Sequence, residues 1–92
     1  MKTVKLFATL RDIAGTKKLN VPFEDGQTVR DLIAAIHAIN PAIGAKLVEP
    51  EGTLSKVVHV YVRGRNVEWL DGLDTVIRED DDVLLVPPAA GG

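Results

Sequence analysis

Four consecutive apolar residues, Val83-Leu84-Leu85-Val86, run directly into Pro87-Pro88 and then Ala89-Ala90-Gly91-Gly92. An apolar run of strand length with no polar alternation reads as a strand covered on both faces, so a central one. The other strands must then be laid outward on either side of it. Pro87 has no N–H and a fixed φ, which stops the ladder. Pro88 steers its predecessor out of the α region, so the chain leaves extended. The five residues from Pro88 onward reach about 17 Å when fully extended. Beyond Pro88 no side chain exceeds a methyl group. Such a tail fits a channel too narrow for ordinary side chains, and its glycines let a partner's backbone come close. Taken alone, small terminal residues are more simply a frayed end. The abrupt passage from a core strand to Gly91-Gly92, with no linker, argues for a use. The expectation is a domain over residues 1–87 and a thin tail over 88–92.

The remaining elements follow from periodicity. Thr3 to Thr9 alternates, with Val4, Leu6 and Ala8 on one face and Lys5, Phe7 and Thr9 on the other, so a first strand is expected there. Arg11 to Thr16 reads as a connector turning at Gly15. Lys18 to Pro22 reads as a second strand with Leu19 and Val21 inward, paired antiparallel to the first. Thr28 caps a helix that runs to Ile39, with Asp31 as the reciprocal partner of a capping box. Val29, Leu32, Ile33 and Ile36 form its buried stripe, and Asn40-Pro41 ends it. A short helical piece is expected around Ile43 to Val48, then a turn at Glu49 to Gly52.

Val57 to Arg63 reads as a third strand with Val58, Val60 and Val62 inward. Arg63-Gly64-Arg65-Asn66 is a hairpin signal, with a fourth strand at Val67 to Leu70. Leu73 and Val76 read as core plugs beside a 3₁₀ turn, and Glu79 to Asp82 as an acidic turn into the last strand. Hairpins around one helix give an α+β fold, a mixed sheet with the helix on one face. The last strand sits naturally beside the first as its parallel neighbour. The opposite face is then open and shows Phe7, His59, Tyr61 and one of the pairs Leu84/Val86 or Val83/Leu85. An exposed apolar patch of that kind marks a partner surface.

Composition excludes several classes. The 92 residues are 46% hydrophobic and 26% charged, which suits one globular domain. A net charge of −2 favours neither nucleic acid nor an anionic membrane. No apolar run approaches the roughly 20 residues of a membrane span. Met1-Lys2-Thr3-Val4-Lys5 enters a strand at once, without the pattern of a signal peptide, so a cytoplasmic protein is expected. With no cysteine there is no thiolate nucleophile, persulfide or cysteine metal site. Sulfur, if handled at all, is held on something other than a side chain.

Conventional catalytic side chains are sparse. His37 reads as a helix surface residue, and His59 as interface packing on the open face. No second ligand stands at metal spacing from either, so no metal site is expected. Glu79 to Asp82 reads as a solvated turn rather than a cation site. Lys56, Arg63 and Arg65 are too few for a nucleic-acid stripe. Gly15-Thr16-Lys17 lacks the glycine spacing of a P-loop. Trp69 and Tyr61 read as packing residues, with Tyr61 also suited to anchor an interface. Arg11 reads equally as a guide for an acidic partner and as a solvated side chain.

Three stretches carry a family resemblance: Leu6-Phe7-Ala8-Thr9-Leu10-Arg11-Asp12-Ile13-Ala14-Gly15, Thr28-Val29-Arg30-Asp31-Leu32-Ile33, and Asp80 through Gly92. Together they resemble the ubiquitin-like β-grasp sulfur carriers, the family of the molybdopterin synthase small subunit (MoaD) and the thiamine-pathway carrier (ThiS). The ending is the specific part. The hairpin Tyr61 to Leu70 followed by Asp71-Gly72-Leu73 looks closer to carriers of cysteine-biosynthesis type or archaeal-type modifiers than to the molybdopterin subunit.

The resemblance implies that a ubiquitin-activating-like adenylyltransferase uses ATP to adenylate the Gly92 carboxylate. A sulfur donor then leaves a thiocarboxylate there. A biosynthetic enzyme making a molybdopterin-type cofactor or cysteine takes the sulfur. The chain would be a carrier, not an enzyme, and would bind no cofactor itself. The implied working parts are the tail Ala89, Ala90, Gly91 and Gly92, with a partner interface of Phe7, Arg11, His59, Tyr61, Leu84, Val86, Pro87 and Pro88. Two alternatives stand beside it: a modifier joined to target-protein lysines through Gly92, and an interaction domain with an inert tail.

Overall fold

The computed structural model describes residues 1–87. Its five strands are β1 (Lys2–Leu6), β2 (Lys18–Val21), β3 (His59–Val62), β4 (Arg65–Asn66) and β5 (Val83–Val86). They form one sheet in the order β2-β1-β5-β3-β4. β5 lies in the middle, parallel to β1 and antiparallel to β3. The helices are α1 (Thr9–Ala14), α2 (Val29–Ile39) and α3 (Pro41–Gly44). α2 lays Val29, Leu32, Ile33 and Ile36 into the core. There they join Val4 and Leu6 of β1, Leu19 and Val21 of β2, Val60 and Val62 of β3, and Val83 and Leu85 of β5. This is the α+β arrangement of a ubiquitin-like β-grasp, with one main helix over one face of a mixed sheet.

α2 begins as its sequence requires. The Asp31 N–H donates to Thr28 Oγ1, and the Thr28 N–H donates to the Asp31 carboxylate at 3.0 Å. At the other end the Asn40 side chain accepts from Ile43 N–H, so one residue closes α2 and opens α3. α3 crosses α2 at Gly44, where a Cβ would stand 2.5 Å from the Cα of His37. Only glycine permits that approach, and His37 lies under the crossing on an otherwise exposed helix face.

Five expected elements move. β1 ends at Leu6, not Thr9, and the expected connector over Arg11 to Thr16 is instead largely helix α1, closed by Gly15 at φ 73°. The short helix after Asn40 occupies Pro41–Gly44, earlier than Ile43 to Val48. β3 starts at His59 and leaves Val57 exposed. The fourth strand is Arg65–Asn66, while Val67–Trp69 is a 3₁₀ turn. The hairpin explains the last shift: Arg63 and Gly64 both take positive φ, 55° and 75°. That gives a two-residue turn, which starts the return strand at once. The expected turn at Gly72–Asp74 is 3₁₀. Leu73 packs against the core, but Val76 is exposed and its neighbours Thr75 and Ile77 are the buried residues. β5 has one core face, Val83 and Leu85; Leu84 and Val86 are half-buried on the other.

Lys2 has the same parity along β1 as Val4 and Leu6, and it is 3% exposed. Its ammonium donates to the carbonyl oxygens of Arg78 (2.8 Å), Glu79 (2.7 Å) and Asp81 (2.9 Å) and lies 4.9 Å from the centre of the Phe23 ring. All three donors of the ammonium are used. The turn before β5 is thereby fastened to the start of β1, and the two strands enter the sheet side by side. The Asp81 carboxylate completes the turn by accepting from Arg78 N–H and pairing with Arg63.

Lys2→Met should lower unfolding free energy by about 2–4 kcal/mol in urea titrations, because three carbonyls lose a charged donor. Lys5→Met on the other face, which removes no hydrogen bond, should not lower it. The cap carries a pH signature. Backbone and side-chain hydrogen bonds from Thr28 hold the Asp31 carboxyl below its ordinary 3.8. The unfolded chain therefore binds the extra proton first. Asp31's contribution is complete above 3.8 and is lost as pH falls through the lowered value. Acid unfolding followed by far-UV dichroism should show a shallower stability slope in Asp31→Asn.

Candidate functional site

Because β1 and β5 are parallel, Phe7 and Pro87 leave the sheet at the same end. β3 runs the other way, so it begins at that end with His59, directly opposite Val86. On the next rung Leu84 stands between Lys5 of β1 and Tyr61 of β3. Lys18 of β2 extends this row beyond Lys5, and Asn66 of β4 extends it beyond Tyr61. Leu84, Val86, His59 and Tyr61 are all half-buried on the face away from α2. Of the two pairs offered by the sequence for the open face, the structure places Leu84/Val86 there.

Phe7 and Arg11 complete that end. β1 is broken by Ala8, which takes φ 51° and ψ −128°. A side chain strains this conformation, which glycine adopts freely. The kink turns the chain into α1 and brings Arg11 back over its own strand. Its Nε donates to Leu6 O at 2.8 Å, and its guanidinium lies 5.2 Å from the centre of the Phe7 ring. Among the described residues no hydrogen bond or ion pair engages the outer nitrogens of Arg11.

Phe7, Arg11, His59, Tyr61, Leu84 and Val86 are thus placed on one end and one face, beside Pro87, which is buried. Pro88, Ala89, Ala90, Gly91 and Gly92 lie outside the described residues. Among the described residues there is no pocket, and no group of three His, Asp or Glu side chains is set to hold a metal ion. No helix among them is long and apolar enough to cross a membrane. The site is a strip of surface that leads to the last described residue.

The family model of the ThiS family matches residues 4–92. The chain belongs to the ThiS family. Small archaeal modifier protein 3 of Haloferax volcanii is 34% identical over 97% of this chain and 96% of its own. The sulfur carrier protein CysO of Mycobacterium tuberculosis is 32% identical over 98% of this chain and 97% of its own. A chain in the crystal structure of the Amycolatopsis orientalis BexX/CysO complex superposes with a TM-score of 0.83 at 29% identity, covering 100% of both chains. This ThiS-family chain is accordingly a sulfur carrier or a small modifier of the archaeal type, and not a catalyst.

Two parts of this ThiS-family surface escaped the sequence pattern. α1 had a signal, Leu10 and Ala14 one turn apart before Gly15, but the alternation through Thr9 concealed it. The facing of Lys5 and Lys18 depends on strand register, which composition does not reveal. Ala8→Gly should raise stability by about 1 kcal/mol in denaturant unfolding, by removing the strained Cβ. Ala8→Val should lower it by about 1–2 kcal/mol.

Proposed function

We propose that this ThiS-family chain is a cytoplasmic sulfur carrier in which residues 1–87 form the handle and 88–92 the working tail. The observation that carries this reading is the central position of β5. Its last residue, Val86, leads into Pro87 at the end of the sheet that also bears Phe7, Arg11 and His59. An enzyme that grips the open face is held at the end of the sheet where the described chain reaches Pro87.

The chemistry belongs to the Gly92 carboxylate. An oxygen of that group attacks the α-phosphorus of ATP in a ubiquitin-activating-like partner and pyrophosphate leaves. Sulfide or an equivalent donor then attacks the acyl carbon, AMP leaves, and a thiocarboxylate remains. A carboxylate is a poor electrophile, and adenylation supplies the leaving group it lacks. The chain has no cysteine, so the acyl group is its place to hold transferable sulfur. ATP is the partner's substrate, and the carrier binds no cofactor. The likeness to CysO supports a sulfur acceptor of cysteine biosynthesis, with a molybdopterin-type cofactor enzyme as the other candidate. The likeness to a small archaeal modifier supports a second outcome, in which a lysine amine of a target protein takes the activated carbonyl.

Incubation with ATP, sulfide and the activating enzyme from its own genome should raise the intact mass by about 16 Da, one oxygen exchanged for sulfur. Higher-mass conjugates on a blot would assign the modifier role. Deleting Gly91 and Gly92 should abolish both products while leaving the unfolding midpoint unchanged. Full partner function after that deletion would establish an interaction domain with an inert tail.

A further inference from the structure

The open face carries an unrelieved repulsion. Lys5 of β1 and Lys18 of β2 are directly opposed. Leu6 N–H donates to Lys17 O at 2.8 Å, which makes residues 6 and 17 a hydrogen-bonded pair. Lys5 and Lys18 therefore occupy the alternate, non-hydrogen-bonded rung, where facing Cα atoms are closest at about 4.5 Å. Like charges at such a rung destabilise the sheet. Both side chains are exposed. Among the described residues neither ammonium has an ion-pair partner. The equivalent rung at the start of the same hairpin is neutral, with the Thr3 hydroxyl donating to the Asn20 side chain at 2.7 Å.

At the paired strand positions of the face the charges are also one-sided, with exposed Asp82, of Leu84's parity, standing just before β5. No Asp or Glu occupies a paired strand position on that face. Yet the chain holds 13 acidic residues against 11 Lys and Arg. The lysine pair adjoins Leu84, which adjoins Tyr61. Two cations beside an apolar strip, on a chain of net charge −2, fit a protein surface better than a nucleic acid.

We propose that the surface docking this face sets at least one carboxylate against Lys5 and Lys18, beside an apolar recess for Leu84 and Tyr61. This rests on the carrier reading, with the activating enzyme as the occupant. Docking then relieves a repulsion that the free carrier bears. The pair also steers encounter through long-range attraction, so its loss acts on capture rather than on chemistry.

The test is ATP–pyrophosphate exchange by the activating enzyme with the full chain as substrate. Reversing both charges, Lys5→Glu with Lys18→Glu, keeps two like charges on the rung and changes only their sign. The KM for the carrier should rise about tenfold or more with kcat within about twofold. The salt dependence of kcat/KM seen in the parent should flatten or invert. Lys18→Glu alone places opposite charges on the rung and should raise the unfolding midpoint while still raising KM, an outcome that general damage to the fold does not produce. An unchanged KM in the double reversal, with exchange lost in Leu84→Asp, would leave the docking face in place and overturn the acidic rim. No exchange with the parent chain would overturn the carrier reading and this proposal together.

Discussion

The parallel pairing of β1 with β5 is the constraint on which the rest of the structure depends. It sets the first and last strands side by side at the middle of the sheet, with β2 and β3 on their flanks. A parallel pair cannot be joined by a tight turn, so everything between the two strands must cross over and return. α2 makes that crossing and covers the core face on the way. The Lys2 ammonium fastens the pairing at its start, holding three carbonyls of the turn that leads into β5. The charge sits in a carbonyl cage without a carboxylate, so its whole donor capacity goes to fixing one turn of backbone.

The same pairing decides where the chain is usable. Both strands point the same way, so their ends coincide, and the antiparallel β3 begins there. Phe7, Arg11, His59 and Val86 converge through sheet geometry alone. Their side chains are far apart in sequence and share no motif spacing. On the carrier reading proposed above, the bond-making groups belong to the enzymes that act on the chain, so an internal cavity has little use. It needs a grip and a direction, and a β-grasp sheet with its last strand in the centre supplies both.

Much of this was legible because the sequence is locally consistent. The Thr28/Asp31 cap and the 3.6-residue stripe of α2 each have one reading, and tertiary structure agrees with it. What resisted was non-local. Val67 to Leu70 looks like a strand by composition, yet the turn at Arg63-Gly64 starts pairing two residues earlier and leaves that segment to wind as a 3₁₀ turn. The two-sided apolarity of Val83 to Val86 located the strand correctly but overstated its burial, because only α2's face of the sheet is covered. Lys2 reads as a surface lysine by residue type, although its parity along β1 is that of Val4 and Leu6. Its burial became explicable only once the turn at residues 78–81 was placed beneath it. Of the candidate site, the apolar residues were readable from strand parity, and the Lys5/Lys18 rung was not.

The two ends of the sheet are finished to different standards, and the difference is informative. At the Lys2 end every donor of the buried ammonium is matched, and the Asp81 carboxylate is engaged twice. Toward the other end and across the open face, Ala8 holds a conformation that a side chain resists, the outer nitrogens of Arg11 have no partner among the described residues, and two lysines face each other across the closest kind of rung. Uncompensated features of this sort persist when a partner completes them or when the surrounding structure overrides them. Here they gather on the face beside the last described residue of β5, while the well-satisfied end faces away. A domain that only needed to be stable would gain from relaxing both ends alike. One that must be gripped at the Phe7 end and released again gains from keeping that end incomplete, because the missing interactions are then supplied by binding and withdrawn on release.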